Sequence, residues 1–353
     1  MPGAGVRAGI AGLGVASVVA GAGAGPLAFA LTPPAPAVRH VTIAMVQPGV
    51  VSDPAKRVDA SETLTRSLSG AGGLGGTHPD LIVWGESSVA YDLTLDHALL
   101  RSIEALSARA GAEILVNQDT AVPGKGQEKV AVLVSPAGVE GSYVKTRLVP
   151  FGEYIPFRQQ LGWLTRISKA ASANMVPGTG AHLLHAAGRG GQPLPIGVLI
   201  CFESAFPDMS RVETDQGAQV IVYQSATSTF QGTWGPDQHA SLAALRAAET
   251  GRPVVQAALT GDTVAFDARG RQLAWMGQSE RGVVTVRLGL PAAAARTPFD
   301  RLGDYVPWTA TFVVVAAALI LLARSRGFNG GDTSVRDGRT AEYDPDSGQP
   351  VAS

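Results

Sequence analysis

Between Arg39 and Pro298, short apolar runs alternate with longer stretches of mixed polarity. Residues 41–46 (VTIAMV) read as a strand that ends at Gln47-Pro48, and residues 54–68 carry a polar helical pattern behind it. The run 81–84 (LIVW) has the length and unbroken apolarity of a buried strand. Residues 99–110 fit a helix stopped by Gly111; residues 114–116 and 130–134 are further strands, and Ser135-Pro136-Ala137-Gly138 turns the chain into Tyr143-Val144. The second half repeats the scheme, with strands at 196–200 and 220–223 and a helix N-capped by Asp237 that ends at Thr250, before Gly251 and Pro253. Strands at 254–255, 263–266 and 283–286 close the series. Strands alternating with helices predict an α/β fold in layers, here in two batches of strands, each with its own helices.

The ends are patterned differently. No residue from Ala8 to Val38 is charged, and the stretch is mostly Gly and Ala. Residues 1–38 therefore read as a weakly hydrophobic N-terminal membrane anchor or, with Ala28-Phe29-Ala30 as a cleavage site behind Arg7, as a signal-like segment. Residues 305–323 are uncharged, contain FVVV and LILL, open on Tyr305 and Trp308 as an interfacial belt would, and run straight into Arg324 and Arg326. That pattern predicts a transmembrane helix with its C-terminus in the cytoplasm. Arg7 places the N-terminus on the same side, so the domain at 39–298 lies on the extracytoplasmic side of the cell membrane. Residues 324–353, rich in Gly, Asp, Ser and Arg, predict a disordered cytoplasmic tail.

Composition narrows the chemistry. With 28 basic and 29 acidic residues among 353, the net charge is -1, and nothing suggests a nucleic-acid partner. The mean hydropathy of +0.15 agrees with membrane segments. Cys201 is the single cysteine, which excludes an intramolecular disulfide and a cysteine-based zinc cluster.

Three apolar strands each run into a reactive side chain: 81–84 into Gly85-Glu86, Tyr143-Val144 into Lys145, and 196–200 into Cys201. Layered α/β folds collect ligands at the carboxyl ends of their strands, so carboxylate, ammonium and thiol can face one pocket. Together they make an acyl-transfer site. A thiol needs activation at neutral pH. Glu86 can take its proton, Lys145 can lower its pKa and stabilise an oxyanion, and the Phe202 N–H can serve as a second oxyanion donor. Cys201 paired with His239 is an alternative. A metal site at His182 and His185 lacks a neighbouring carboxylate, and no Gly-x-Ser-x-Gly elbow is present. No cofactor is required.

The run from Tyr143 through Lys145-Thr146-Arg147-Leu148-Val149-Pro150-Phe151-Gly152-Glu153-Tyr154-Ile155-Pro156 resembles the apolipoprotein N-acyltransferase family of the nitrilase (carbon–nitrogen hydrolase) superfamily. Ile200-Cys201-Phe202-Glu203-Ser204 and the stretch from Gln238-His239 to Arg252-Pro253 resemble it too. The resemblance implies an αββα sandwich flanked by membrane-spanning helices, with Glu86, Lys145 and Cys201 as a Glu-Lys-Cys triad. It implies transfer of an acyl chain from a phospholipid, by way of a Cys201 thioester, to the N-terminal amine of a diacylglyceryl-cysteine lipoprotein. Glu153 and Glu203 match further glutamates of that family, as supporting groups or as structural hydrogen-bond partners. A lid role for residues 154–176 and a plain packed helix both fit their apolar pattern. The family carries a bundle of membrane helices ahead of the hydrolase domain where this sequence has one weak stretch; a truncated start, a divergent enzyme and a membrane partner protein that supplies the helices are the three readings of this difference. Gln224-Ser225-Ala226-Thr227-Ser228-Thr229-Phe230 stands where the family has an Asn-rich turn, which implies an altered pocket wall. The second reading is a membrane-tethered amidase that passes the acyl group to water. A catalytically silent scaffold is the third.

Overall fold

Period-two alternation sets the layers of the hydrolase unit. The computed structural model describes residues 23, 27, 29–69, 78–166, 174–188 and 191–328. On β1 (Ala37–Gln47), Ile43 and Met45 enter one apolar core while Ala44 and Val46 enter another. The same split divides Leu81 and Val83 from Ile82 and Trp84 on β2 (Leu81–Trp84), with helix α1 (Pro54–Arg66) between the two strands in sequence. It divides Leu115 from Ile114 and Val116 on β3 (Glu113–Val122), which follows α2 (His97–Ala110). One set packs with Val58, Ile103 and Leu106 of the two helices, and the other with a second sheet. Strands covered on both faces read as continuous apolar runs, which is how β2 appears in the sequence.

The first sheet has the order β12-β1-β2-β3-β4-β5, with β4 at Gly126–Ser135, β5 at Gly138–Val144 and β12 at Gly282–Pro291. Its centre, β1-β2-β3, is parallel, and its flanking pairs are antiparallel. After the short α3 (Arg158–Leu161), the second sheet forms in the order β11-β10-β9-β8-β7-β6. Its strands are β6 (Leu184–Ala186), β7 (Leu194–Ile200), β8 (Val220–Ser225), β9 (Val254–Ala258), β10 (Thr263–Phe266) and β11 (Gln272–Met276). The trio β7-β8-β9 is parallel. Helices α4 (Pro207–Gln216) and α5 (Gly235–Thr250) cover its outer face through Met209, Ala240, Ala243 and Ala247. Helix α6 (Pro298–Leu302) ends the unit at Gly303. The helix–sheet–sheet–helix layering agrees with the expected fold. A buried amide stitches the sheets: Gln224 Nε2 donates to Trp84 O at 2.9 Å and Leu115 O at 3.2 Å, and its Oε1 accepts from Asn117 Nδ2 at 3.1 Å.

Several boundaries differ from the sequence reading. Helix α5 begins at Gly235, so Asp237 lies in its first turn and Trp234, without a side-chain cap, holds the N-cap position. Pro236 accounts for the earlier start, since proline is preorganised for the first helical turn. Strands β3 and β4 extend beyond their apolar centres, because backbone pairing continues where the side chains turn polar, and β12 runs on through Leu288 and Leu290 to Pro291 against β1. Helix α4 and strands β6 and β11 were not expected.

Near the N-terminus, Arg269 donates to Phe29 O at 2.7 Å and Thr32 O at 2.8 Å, and its guanidinium lies 4.3 Å from the Phe29 ring centroid. Most of the expected N-terminal anchor, residues 1–22, 24–26 and 28, lies outside the described residues. The second unit contains helix α7 (Tyr305–Phe328). Its residues 305–323 have mean hydropathy 2.3 and none is buried, and among the described residues it is the one helix long and apolar enough to cross a membrane. Residues 324–328 continue this helix rather than opening the expected tail, and 329–353 lie outside the described residues.

Candidate active site

The sheet topology brings the three expected side chains to one edge. Glu86 follows β2 and Cys201 follows β7, each in the parallel centre of its sheet. Strand β5 is two antiparallel steps from β3, so it points the same way as β3 and delivers Lys145 to the same edge. The ends are pinned together. Ser225 O accepts from Glu86 N at 3.2 Å and from Leu259 N at 2.8 Å, so the last residue of β8 holds the base loop and the loop after β9. Gly85 permits this approach: a Cβ there would stand 2.2 Å from Leu259 N.

Charge is concentrated around a buried ammonium. Lys145 Nζ lies 2.7 Å from Glu153 Oε1 and 3.3 Å from Glu86 Oε1, with no exposed side-chain surface. Burial alone would lower its pKa, but Glu86, Cys201 and Glu153 beside it raise it above the ordinary lysine value, so it stays an ammonium. Burial would raise the pKa of Glu86; the Lys145 and Lys129 charges and hydrogen bonds from Cys201 and Lys145 overcome this and hold it below the usual value. Lys129 was not foreseen. Its Nζ is 3.9 Å from Glu86 Oε1, 2.8 Å from Asp119 Oδ1 and 2.6 Å from Ser87 Oγ. The available signal was a lysine three residues inside a strand whose next positions are all apolar, cross-strand from Asp119.

Cys201 sits at a sharp turn. Strand β7 passes directly into a 3₁₀ turn, Cys201–Ala205, and Cys201 has φ +50°. A left-handed non-glycine residue costs about 1–2 kcal/mol, and such strain collects where a side chain must be presented. The thiol is close enough to Glu86, Lys145 and Glu153 to feel their charges. Burial and the Glu86 carboxylate push its pKa up to about 12 against the opposing pull of Lys145. The resting pair is therefore a neutral thiol beside an ionised carboxylate, which suits proton transfer during attack rather than a preformed thiolate. His239 approaches the same turn from α5, its Nε2 3.5 Å from Ser204 Oγ, and burial lowers its pKa. It is thus neutral and faces Ser204, behind the nucleophile turn.

The supporting residues fall into distinct places. Glu203 is fully buried and clamps the two loops. Its Oε1 accepts from Tyr143 Oη, Thr146 N and Thr146 Oγ1, each at 2.8 Å, and from Arg147 N at 3.0 Å; its Oε2 accepts from Ile200 N at 2.7 Å. Glu153 uses its second oxygen to accept from Val149 N at 2.9 Å, which fixes the Lys145 loop around its own ammonium partner. Phe202 stands in the first turn of the 3₁₀ segment, where N–H groups lack intrahelical acceptors. Its ring meets Phe206 edge-on at 5.0 Å. Both rings line a cleft of about 580 Å³ whose other wall is the Lys145 loop (Thr146, Arg147, Leu148, Pro150, Tyr154) with Asn174, Met175 and Pro177. Phe157 and Trp163, in the segment read as either a lid or a packed helix, are exposed, and residues 167–173 of it lie outside the described residues.

His182 and His185 do not join this site: His182 Nε2 is 2.8 Å from Ser142 O, and His185 is exposed on β6. Among the described residues no group of three or more His, Cys, Asp or Glu side chains is arranged to hold a metal ion.

The chain is 29% identical over 311 residues to an apolipoprotein N-acyltransferase of Chlorobaculum tepidum, covering 81% of this chain and 58% of the relative. It is 33% identical over 339 residues to one of Sinorhizobium fredii, covering 90% and 60%. The chain therefore spans somewhat under two thirds of the length of these curated relatives. An amidase of the nitrilase superfamily from Nesterenkonia superposes with TM-score 0.53 at 21% identity, over 80% of this chain and 98% of the amidase. A Saccharomyces cerevisiae member of that superfamily gives 0.52 at 15%, over 76% and 96%. At these identities the solved structures speak for the fold. The carbon-nitrogen hydrolase family model matches residues 42–296, from β1 to just beyond β12 and across all the strand ends described above, and the chain belongs to that family.

Proposed function

We propose that this protein is an acyltransferase of the apolipoprotein N-acyltransferase type. It would move an acyl chain from a phospholipid, through a thioester on Cys201, to the N-terminal amine of a diacylglyceryl-cysteine lipoprotein. The observation that carries the reading is the meeting of Glu86, Lys145 and Cys201 beside an apolar cleft walled by the Lys145 loop and the Cys201 turn. The names of relatives aligned over 81% and 90% of this chain support the choice of substrate class.

In the first half-reaction Glu86 takes the thiol proton as Cys201 Sγ bonds to the ester carbonyl carbon. The Lys145 ammonium and the Phe202 N–H stabilise the oxyanion. The ester C–O bond then breaks, and the lysophospholipid oxygen leaves with the proton from Glu86. In the second half the lipoprotein amine attacks the thioester, Glu86 accepts its proton, and the Cys201 sulfur leaves and is reprotonated. The ionised carboxylate and neutral thiol are the protonation states this sequence needs at the start. Helix α7 would anchor the hydrolase domain to the cell membrane, with that domain on the extracytoplasmic side.

Intact-protein mass spectrometry after incubation with phospholipid vesicles tests the reading. An acyl-sized adduct that is absent in Cys201→Ala and lost on adding a diacylglyceryl-cysteine peptide is the expected result. An adduct that persists with the peptide and decays in water instead would favour hydrolysis. Full turnover by Cys201→Ala would overturn the mechanism.

A further inference from the structure

We infer that Arg147 is the phosphate-recognition residue of the acyl-donor subsite, holding the phosphodiester of a glycerophospholipid while its ester lies at Cys201. The inference rests on the acyltransferase reading above and adds the part of the donor that the protein grips. Arg147 is the single charged residue among those that line the cleft; the others are apolar or neutral polar. A lone cation at an otherwise apolar cleft matches a ligand with one anionic group and long apolar parts.

The guanidinium is held in place from several sides. It lies 4.4 Å from the Phe206 ring centroid, a cation–π contact. Its backbone N–H donates to Glu203 Oε1 at 3.0 Å, so the residue is positioned by the same clamp that joins the Lys145 loop to the Cys201 turn. One Nη2 bond goes to Asp208, whose side chain is 48% exposed while that of Arg147 is 36% exposed. Solvent-exposed pairs of this kind contribute little, so Asp208 can give way to a better anion. Nε and Nη1 make no other hydrogen bond to the described residues, and once Asp208 gives way the Nε–Nη2 and Nη1–Nη2 edges each present two parallel donors suited to phosphate oxygens.

Phe206, on which the guanidinium rests, directly follows the Cys201–Ala205 turn, so the Arg147 subsite adjoins the turn that presents the nucleophile. A glycerophospholipid joins its phosphate to the ester carbonyl through a glycerol backbone alone, so the groups that grip the one and attack the other must be neighbours. An ester without phosphate would fill the cleft and leave Arg147 to Asp208.

The experiment compares two acyl donors on the full-length protein in detergent–lipid micelles: phosphatidylglycerol and the p-nitrophenyl ester of the same fatty acid. Acylation of Cys201 is followed by intact mass. In Arg147→Gln the ratio of kcat/KM for phosphatidylglycerol to that for the nitrophenyl ester is expected to fall at least tenfold, mainly through KM. Arg147→Lys should recover part of it, and Asp208→Asn should leave it equal to or above wild type. An unchanged ratio in Arg147→Gln, or an equal fall in Asp208→Asn, would overturn the role of Arg147 and leave the acyltransferase reading standing. Wild-type protein that is acylated by the nitrophenyl ester and by no phospholipid would overturn both. Inorganic phosphate is expected not to compete at the concentration of the lipid phosphate; equal competition would make the site one for free phosphate and overturn the lipid assignment.

Discussion

Lys145 is bound more closely by Glu153, at 2.7 Å, than by Glu86, at 3.3 Å. The carboxylate proposed as base is therefore the looser partner of the lysine, and Glu153 is what fixes the ammonium. Glu153 is itself tied down by Val149 N at 2.9 Å, and Met175 N donates to its carbonyl at 2.9 Å. A base free to accept a proton and an ammonium held by another group is a workable division of labour. Glu153→Gln should keep the fold but let Lys145 drift toward Glu86. Misplacement by about 1 Å can cost about 100-fold in rate, and a loss of that order in Cys201 acylation is expected. Time-resolved intact mass checks it, and an undiminished rate would reduce Glu153 to a packing role.

The second lysine supports a different prediction. Lys129 adds a positive charge 3.9 Å from Glu86 but makes its short contacts to Ser87 and Asp119. It acts on the base through space. Burial raises the Glu86 pKa, and Lys145 and Lys129 together bring it below the ordinary value. Removing one of them must move it up. In Lys129→Met the acidic limb of the pH–rate profile for acylation should shift to higher pH, with a small change in the plateau above it. A lowered plateau with an unmoved limb would mean that Lys129 serves only to hold Ser87 in place.

Legibility in the sequence followed apolar continuity. Strand β2 was readable to the residue because all four of its side chains are buried, on two faces. Glu86 and Cys201 each follow such a buried run, whereas Lys145 follows β5, where Tyr143 alone is buried. Helix α4 was hidden because the face it turns to the sheet carries Ser210, Glu213 and Thr214 beside Met209, so its buried stripe is polar. Lys129 was hidden because Ser87, 42 positions earlier, and Glu86 beside it meet the Asp119–Lys129 pair of the β3–β4 hairpin only in the folded sheet. The role of Glu203 needed coordinates too: its acceptor bonds reach residues about 56–60 positions earlier in the chain.

That polar stripe on α4 yields a stability prediction. Glu213 is fully buried, and neither carboxylate oxygen has a hydrogen-bond partner. Helix α4 sits so close to β7 that a Cβ on Gly197 would lie 2.7 Å from Glu213 Cβ. Burial, helped by the charge of Glu203, raises the carboxyl pKa from 4.5 to about 8. The folded state thus holds a proton that the unfolded state releases. Stability from this group is fully present below the unfolded value near 4.5 and is lost as pH rises to about 8, with no further loss above. The slope is about 1.4 kcal/mol per pH unit, and the whole window amounts to a few kcal/mol. Glu213→Gln mimics the protonated acid and removes the slope. Its melting temperature should match wild type near pH 4.5 and exceed it at pH 8. Thermal unfolding of both proteins at the two pH values decides the matter: curves offset equally at both would mean that Glu213 carries no extra proton in the folded state.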